Sequence, residues 1–352
     1  MASLRSQLRA VKNKLRRAQL YVPSWIRYCG PFSAFAREHA SVAAGQRAHA
    51  AALEAVGAQR HAFRRRVHML EKGLSMRPRR ETFAAAYIED VVAQFLRGAS
   101  PRGLTESDLG WAEDVLDDYF QATRDSPDTD ISRARGAFLG RSAPERSGAH
   151  KGPARRGNPQ SSVRYDDLSR LAQQRQSVRW FQSEPVSRRE IDRALEVAIE
   201  APTACNRIPY RFVILDQGSD AADIARLAGG TAGFADNIPA LVVAVGDLSA
   251  YSEDRDRHLI YIDSSLAIMS LLFALEAQGI SSCCINWPDV PHREREMTRA
   301  LGLAPYERVI MLVALGYADP EGYVPGSAKT DLRSYRSFDR PVTLTRGKDE
   351  YT

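Results

Sequence analysis

The sequence predicts an α+β protein preceded by a mainly helical amino-terminal region, and three observations predict it. Helical periodicity fills residues 1–131, a stretch poor in large apolar residues spans 132–162, and beyond it four short apolar runs alternate with helical patterns. With 352 residues and 44% hydrophobic content, the chain can bury one large domain plus an accessory region.

The first element is a basic amphipathic helix. Leu4, Leu8, Val11, Leu15 and Ala18 recur at helical spacing, while Arg5, Arg9, Lys12, Lys14, Arg16 and Arg17 crowd the other positions. Such a helix suits an anionic membrane or an acidic partner, and equally a face packed on its own body. Pro23 and the Gly30-Pro31 pair end it. A second helical tract, about Ala40 to Leu70, leads into HMLEKGLSMRPRR, where Gly73 reads as the cap and Pro78 follows. His68 and Glu71 share one helical face, but two ligands are too few for a metal, so Glu71 is expected to pair with a neighbouring arginine.

Two more helices follow: ETFAAAYIEDVVAQFLRG, then one opened by Thr105, Glu106, Ser107 and Asp108 with Trp111, Val115 and Tyr119 along a stripe. Ser132 to Ser162, rich in Gly, Pro, Ser and Arg, reads as a flexible linker. Beyond it, a helix from about Ser187 to Glu200 carries Ile191, Leu195 and Ile199 on one stripe and precedes a strand at Tyr210 to Leu215. Pro239 to Gly246, Ser281 to Asn286 and Val309 to Gly316 are apolar runs bounded by turn residues and read as buried strands. Between them, IYIDSSLAIMSLLFALEAQG is apolar nearly all round and must be covered on several sides, in the core or at a subunit interface.

The net charge of +6 conceals an asymmetry. Residues 1–80 carry 17 Lys and Arg against 3 acids, leaving a net −8 for the remainder. The amino terminus lacks the apolar core of a secretory signal, and no run of about 18 apolar residues occurs, so no transmembrane span is expected. Cys29, Cys205, Cys283 and Cys284 form neither a CxxC pair nor a disulfide framework. A reducing, cytoplasmic setting fits them, with peripheral membrane contact open to the basic arm. No reading motif or aromatic interleaving supports specific nucleic-acid recognition. GGTAGF at 229–234 follows a helical pattern instead of a strand, which argues against a stably bound dinucleotide.

Four stretches place polar or cationic groups at element ends. In RQSVRWF, Arg175, Ser177 and Arg179 alternate, so an extended chain projects them to one side. Two guanidiniums and a hydroxyl suit a phosphate, though a solvated basic surface has the same pattern. APTACNRIPYRF, Ala201 to Phe212, packs two prolines around Thr203, Cys205 and Asn206 at a helix-to-strand junction. SSCCINWPD ends a strand with Cys284, Ile285 and Asn286, and SAKTDLRSYR supplies Lys329 and Arg333. The adjacent Cys283 and Cys284 point to opposite faces of a strand, which speaks against a catalytic dithiol.

Together and in this order these stretches resemble the nitroreductase family of FMN-dependent oxidoreductases, over about Tyr165 to Phe338. The resemblance implies a nitroreductase-like mixed sheet flanked by helices at 163–340, after a basic helical extension at 1–131 and the linker at 132–162, with a tail at 341–352. It implies that Arg175, Ser177 and Arg179 hold the FMN phosphate and ribityl chain, with Lys329 or Arg333 as a late basic contact. It further implies that Thr203, Ala204 and Asn206 meet the flavin, and that the backbone of Cys284, Ile285 and Asn286 lies near its N5 and O4. Where family members carry Gln-Pro-Trp, this chain has Ile208, Pro209 and Tyr210. The implied activity moves a hydride or electrons from transient NADH or NADPH through FMN to a small-molecule organic acceptor, in a homodimer. The competing expectation is a flavin-binding or membrane-associated interaction protein whose basic arm carries the function.

Overall fold

The computed structural model describes residues 33, 35–56, 59–100, 103–141, 149–157 and 160–338; the basic first helix and the tail at 341–352 lie outside the described residues. Among the described residues five helices come first: α1 (Ala36–Val56), α2 (Arg60–Ser75), α3 (Ala85–Leu96), α4 (Glu106–Ala122) and α5 (Thr129–Leu139). The single tract expected over 40–70 is two helices, because Gln59 caps α2 by accepting the Ala62 N–H at 2.6 Å. Gly73 does not end α2. It lies within the helix where a Cβ would collide with the Phe83 ring, and the cap is Met76.

The arginine partner expected for Glu71 is also corrected. Its carboxylate meets His68 Nδ1 and accepts from Trp111 Nε1, both at 2.9 Å. Thr105 and Asp108 form the capping box that starts α4. Helix α5 occupies the start of the stretch that reads as linker. Asp128 accepts the N–H groups of Asp130 and Ile131, and Ile131, Ala134 and Phe138 turn inward at helical spacing. They join Phe63, Val67, Leu70, Val91, Val115 and Tyr119 in a core of their own, made by α2–α5 with Leu104 from the connection before α4.

The second half contains α6 (Tyr165–Gln174), α7 (Arg188–Ala198), β1 (Tyr210–Leu215), α8 (Gly218–Leu227), β2 (Ala240–Asp247), α9 (Leu259–Glu276), β3 (Ser281–Asn286), α10 (Pro291–Leu301) and β4 (Glu307–Gly316). The sheet order is β1-β2-β4-β3, and every ladder is antiparallel. The expected mixed character is reduced to one isolated parallel bridge, Ser177 to Ser282.

Alternation along the strands supplies two cores. Leu241, Val243, Val245, Cys283, Ile285 and Leu312 face α8 and α10. Ala240, Val242, Ala244, Val313 and Leu315 face α7 and α9. Helix α9 lies in the only described segment long and apolar enough to cross a membrane, yet Ile268, Leu271, Leu272 and Leu275 are sealed against the sheet. Each such burial contributes roughly 1.5–3 kcal/mol. Its opposite side leaves Ile262, Leu266 and Met269 exposed.

The helical unit touches the body directly. At Gly45 of α1 a Cβ would lie 2.7 Å from the Leu248 carbonyl, so only glycine permits this approach. His49 Nδ1 and Gln59 Nε2 both bond the Ser249 carbonyl, at 2.8 and 2.9 Å.

Candidate cofactor site

Arg175 ends α6, donating its N–H to the Leu171 carbonyl at 3.0 Å, and the chain then runs beside β3 through Val178 N–H to Ser282 O at 3.1 Å. Phe181 is pinned by Asn237, which accepts its N–H at 2.6 Å and donates to its carbonyl at 3.1 Å. This fixed segment forms one wall of a cavity of about 430 Å³. Arg175, Gln176 and Ser177 face Pro325, Ser327 and Lys329 across it, and among the described residues no carboxylate lines it. Two cations and a hydroxyl without an acid form a donor set matched to phosphate. Beside it the Ser282 hydroxyl is buried without a hydrogen-bond partner among the described residues.

Arg179 does not line this cavity. Its guanidinium lies 5.9 Å from the Phe234 ring centroid and donates to the Ser177 carbonyl at 3.4 Å. Arg333 is exposed on a short turn capped by Asp331 and is also absent from the cavity wall.

The loop before β1 is unusual in its backbone. Cys205, Asn206 and Ile208 have φ of 55°, 54° and 52°, in a left-handed region that costs a non-glycine residue roughly 1–2 kcal/mol. Asn tolerates it best; a β-branched Ile is the real outlier. Within the loop, Thr203 Oγ1 accepts the Ile208 N–H at 3.1 Å and Thr203 O accepts the Asn206 N–H at 3.0 Å. From α9, Asp263 Oδ2 accepts the Ala204 N–H at 2.9 Å. Burial raises the Asp263 carboxyl, while this N–H and Arg207 pull it back down. Nearby, burial pushes the Tyr210 phenol up to about 12, with the Asp263 charge adding to it.

The remaining contacts come from α2. Arg64 donates Nε to the Asn206 carbonyl at 2.8 Å and Nη2 to Asn206 Oδ1 at 3.0 Å, and its Nη1 binds Asp108 of α4. His61 Nδ1 bonds the Arg207 carbonyl at 2.8 Å, and its Nε2 lies 3.4 Å from Asp247. The Asn206 side chain, expected at the flavin, is thus engaged by an arginine from outside the body.

Cys284 and Asn286 are exposed on β3, whereas Cys283 and Ile285 are buried on the opposite face. Burial raises the Cys283 thiol, outweighing the nearby Arg179 and Arg175. No cluster of metal ligands exists among the described residues.

Strand register relates these parts. Tyr210 pairs with Gly246, Gly246 with Arg308, and Asn286 with Met311. The loop and the end of β3 therefore leave the sheet at the same end on opposite edges, three strand spacings across and three residues along β4, about 17 Å apart. Ser177 bridges Ser282, at the other end of β3, about 13 Å from Asn286 along the strand. The structure gathers Arg175, Ser177 and Lys329 in one place and leaves the two other groups at a distance within a single chain. Sequence reading missed Arg64, His61, Asp263 and Ser282, and read Asp108 only as part of a helix cap. Only Asp263 carried a signal, as an acid within an otherwise apolar helix.

The sequence profile of the Nitroreductase family matches residues 172–232 and 220–317. A curated NADH dehydrogenase of Thermus thermophilus is 28% identical over 188 residues, covering 45% of this chain and 89% of that protein. Among solved structures, the FMN-dependent nitroreductase from Clostridium difficile aligns at 19% identity and TM-score 0.42, over 48% of this chain and 98% of its own. The nitroreductase family protein from Streptococcus pneumoniae aligns at 22% identity and TM-score 0.42, over 49% and 99%. The matched family and the curated relative are oxidoreductases. More specifically, residues 172–317 of this chain match the Nitroreductase family.

Proposed function

We propose that the protein is an FMN-dependent oxidoreductase passing a hydride or electrons from NADH or NADPH to a small organic acceptor. The cavity of Arg175, Ser177 and Lys329 carries this reading, because it presents cations and a hydroxyl with no competing carboxylate. When bound, the flavin supplies the redox chemistry, and the chain supplies position and electrostatics. Arg175 and Lys329 would neutralise the phosphate, with Ser177 donating a hydrogen bond. Arg179 would brace the segment through the Ser177 carbonyl, and Arg333 would add positive charge to the same surface. The edge strand β3 turns unpaired backbone groups outward around Cys284, Ile285 and Asn286, and Thr203, Ala204 and Asn206 would contribute a second polar edge. The exposed Ile262, Leu266 and Met269 of α9 give a second copy of the chain an apolar face to cover. A homodimer would bring the separated groups of two chains together.

The test compares ligands that differ only in the phosphate. The wild type should bind FMN more tightly than riboflavin, and Arg175→Ala should remove most of that preference, read by flavin fluorescence. Reduction of the bound flavin by NADH or NADPH under anaerobic conditions completes the reading. A protein that takes up neither flavin refutes it.

A further inference from the structure

The loop from Thr203 to Pro209 is not self-sufficient. Three of its residues are left-handed without being glycine, and such a conformation persists only where its surroundings over-determine it. The body ties the loop's two ends, through Asp263 to the Ala204 N–H and the Asp247 N–H to the Pro209 carbonyl, and holds the Arg207 side chain near Asp256 and Tyr251. The helical unit supplies three more ties: both Arg64 bonds to Asn206 and the His61 bond to the Arg207 carbonyl. The Arg64 bonds use the rigid Nε/Nη2 edge of the guanidinium, which fixes direction as well as distance. Its third nitrogen is held by Asp108, and its plane lies 5.0 Å from the Trp111 ring centroid. The Arg64 side chain is only 11% exposed and the Asp108 side chain 1%. Helix α4 thus aims Arg64 at the loop, and no other residue among those described bonds the Asn206 side chain.

We infer that Arg64 is a positioning residue through which the helical unit sets the flavin-edge loop and hence how tightly the body holds its flavin ring. This rests on the FMN reading above, because the loop is its proposed ring contact. Lysine retains the charge beside Asp108 but lacks the fork, so it can keep one of the two Asn206 bonds at most.

The experiment uses the full chain with Arg64→Ala and Arg64→Lys beside Arg175→Ala. Hydrogen exchange of residues 203–209 is followed without flavin, and FMN and riboflavin affinities are measured by fluorescence. Arg64→Lys should speed exchange in the loop while leaving that of α4 unchanged. It should also weaken FMN and riboflavin by the same factor, roughly tenfold for hydrogen bonds to a charged donor. Arg64→Ala should do more of both. Arg175→Ala should weaken FMN alone and leave loop exchange alone, which separates the ring contact from the phosphate contact. Unchanged loop exchange in both Arg64 variants overturns the clamp. Faster exchange with unaltered flavin affinity overturns its link to the cofactor. A wild type that binds no flavin at all refutes the FMN reading and the link together, while the exchange data still decide whether Arg64 holds the loop.

Discussion

Replacing Asp108 with asparagine should destabilise the helical unit at neutral pH and have little effect in acid. The carboxylate accepts from Arg60 Nε at 2.7 Å, from the Thr105 N–H at 3.0 Å and from Arg64. Burial alone would raise it, but these donors prevail and bring it from 3.8 down to about 2. At 1.36 kcal/mol per pKa unit, that difference stabilises the ionised folded form by about 2 kcal/mol. Because the folded pKa lies below the unfolded one, the stabilisation is complete above the unfolded value and disappears as pH falls through about 2. Urea unfolding followed by hydrogen exchange in α4 should show Asp108→Asn about 2 kcal/mol weaker at pH 7, with the gap shrinking below the unfolded value and closing only as pH falls through about 2. Equal stability at pH 7, or a gap undiminished in acid, would refute the reasoning.

Asp263 should behave in the opposite sense. Its folded carboxyl is raised by burial, so its contribution to stability declines as pH rises from the unfolded value, and Asp263→Asn should flatten that decline in a pH series of urea midpoints. Gly45→Ala should cost about 1–3 kcal/mol in the docking of α1, since the new methyl meets backbone that cannot rotate away; faster proteolysis within residues 36–56 would report it. Leu266→Arg should shift the protein from dimer to monomer in sedimentation, and a wild type already monomeric would remove the dimer reading. Deleting residues 1–32 should abolish flotation with anionic liposomes if the basic arm meets membranes, and equal flotation would discard that role.

What the sequence made legible was whatever its own period encodes. All four strands fall within two residues of their expected bounds, because apolar runs closed by turn residues leave little choice. The capping pattern at Thr105 and the apolar stripe beginning near Ser187 mark helices where expected. Helix α5 was hidden because Ser, Arg and Gly outnumber its three buried apolar residues, and only packing against α3 and α4 reveals its inward face. At the site, Arg175, Ser177 and Lys329 share a cavity. The clamp was unreadable, since Arg64 sits in an Arg-Arg-Arg run that looks like a solvated face, 142 residues from its partner. Long-range pairing of that kind leaves no periodic trace.

Four of the contacts joining the helical unit to the body share one chemical habit. Arg64 bonds the carbonyl of Asn206, His61 that of Arg207, and His49 and Gln59 that of Ser249. A carbonyl is common to every residue type, so these four contacts recognise the path of the main chain and are blind to most side chains on it. The side chains at 207 and 249 could drift over evolution without loosening the joint, provided the trace stays the same. A change of trace with no change of composition would release it.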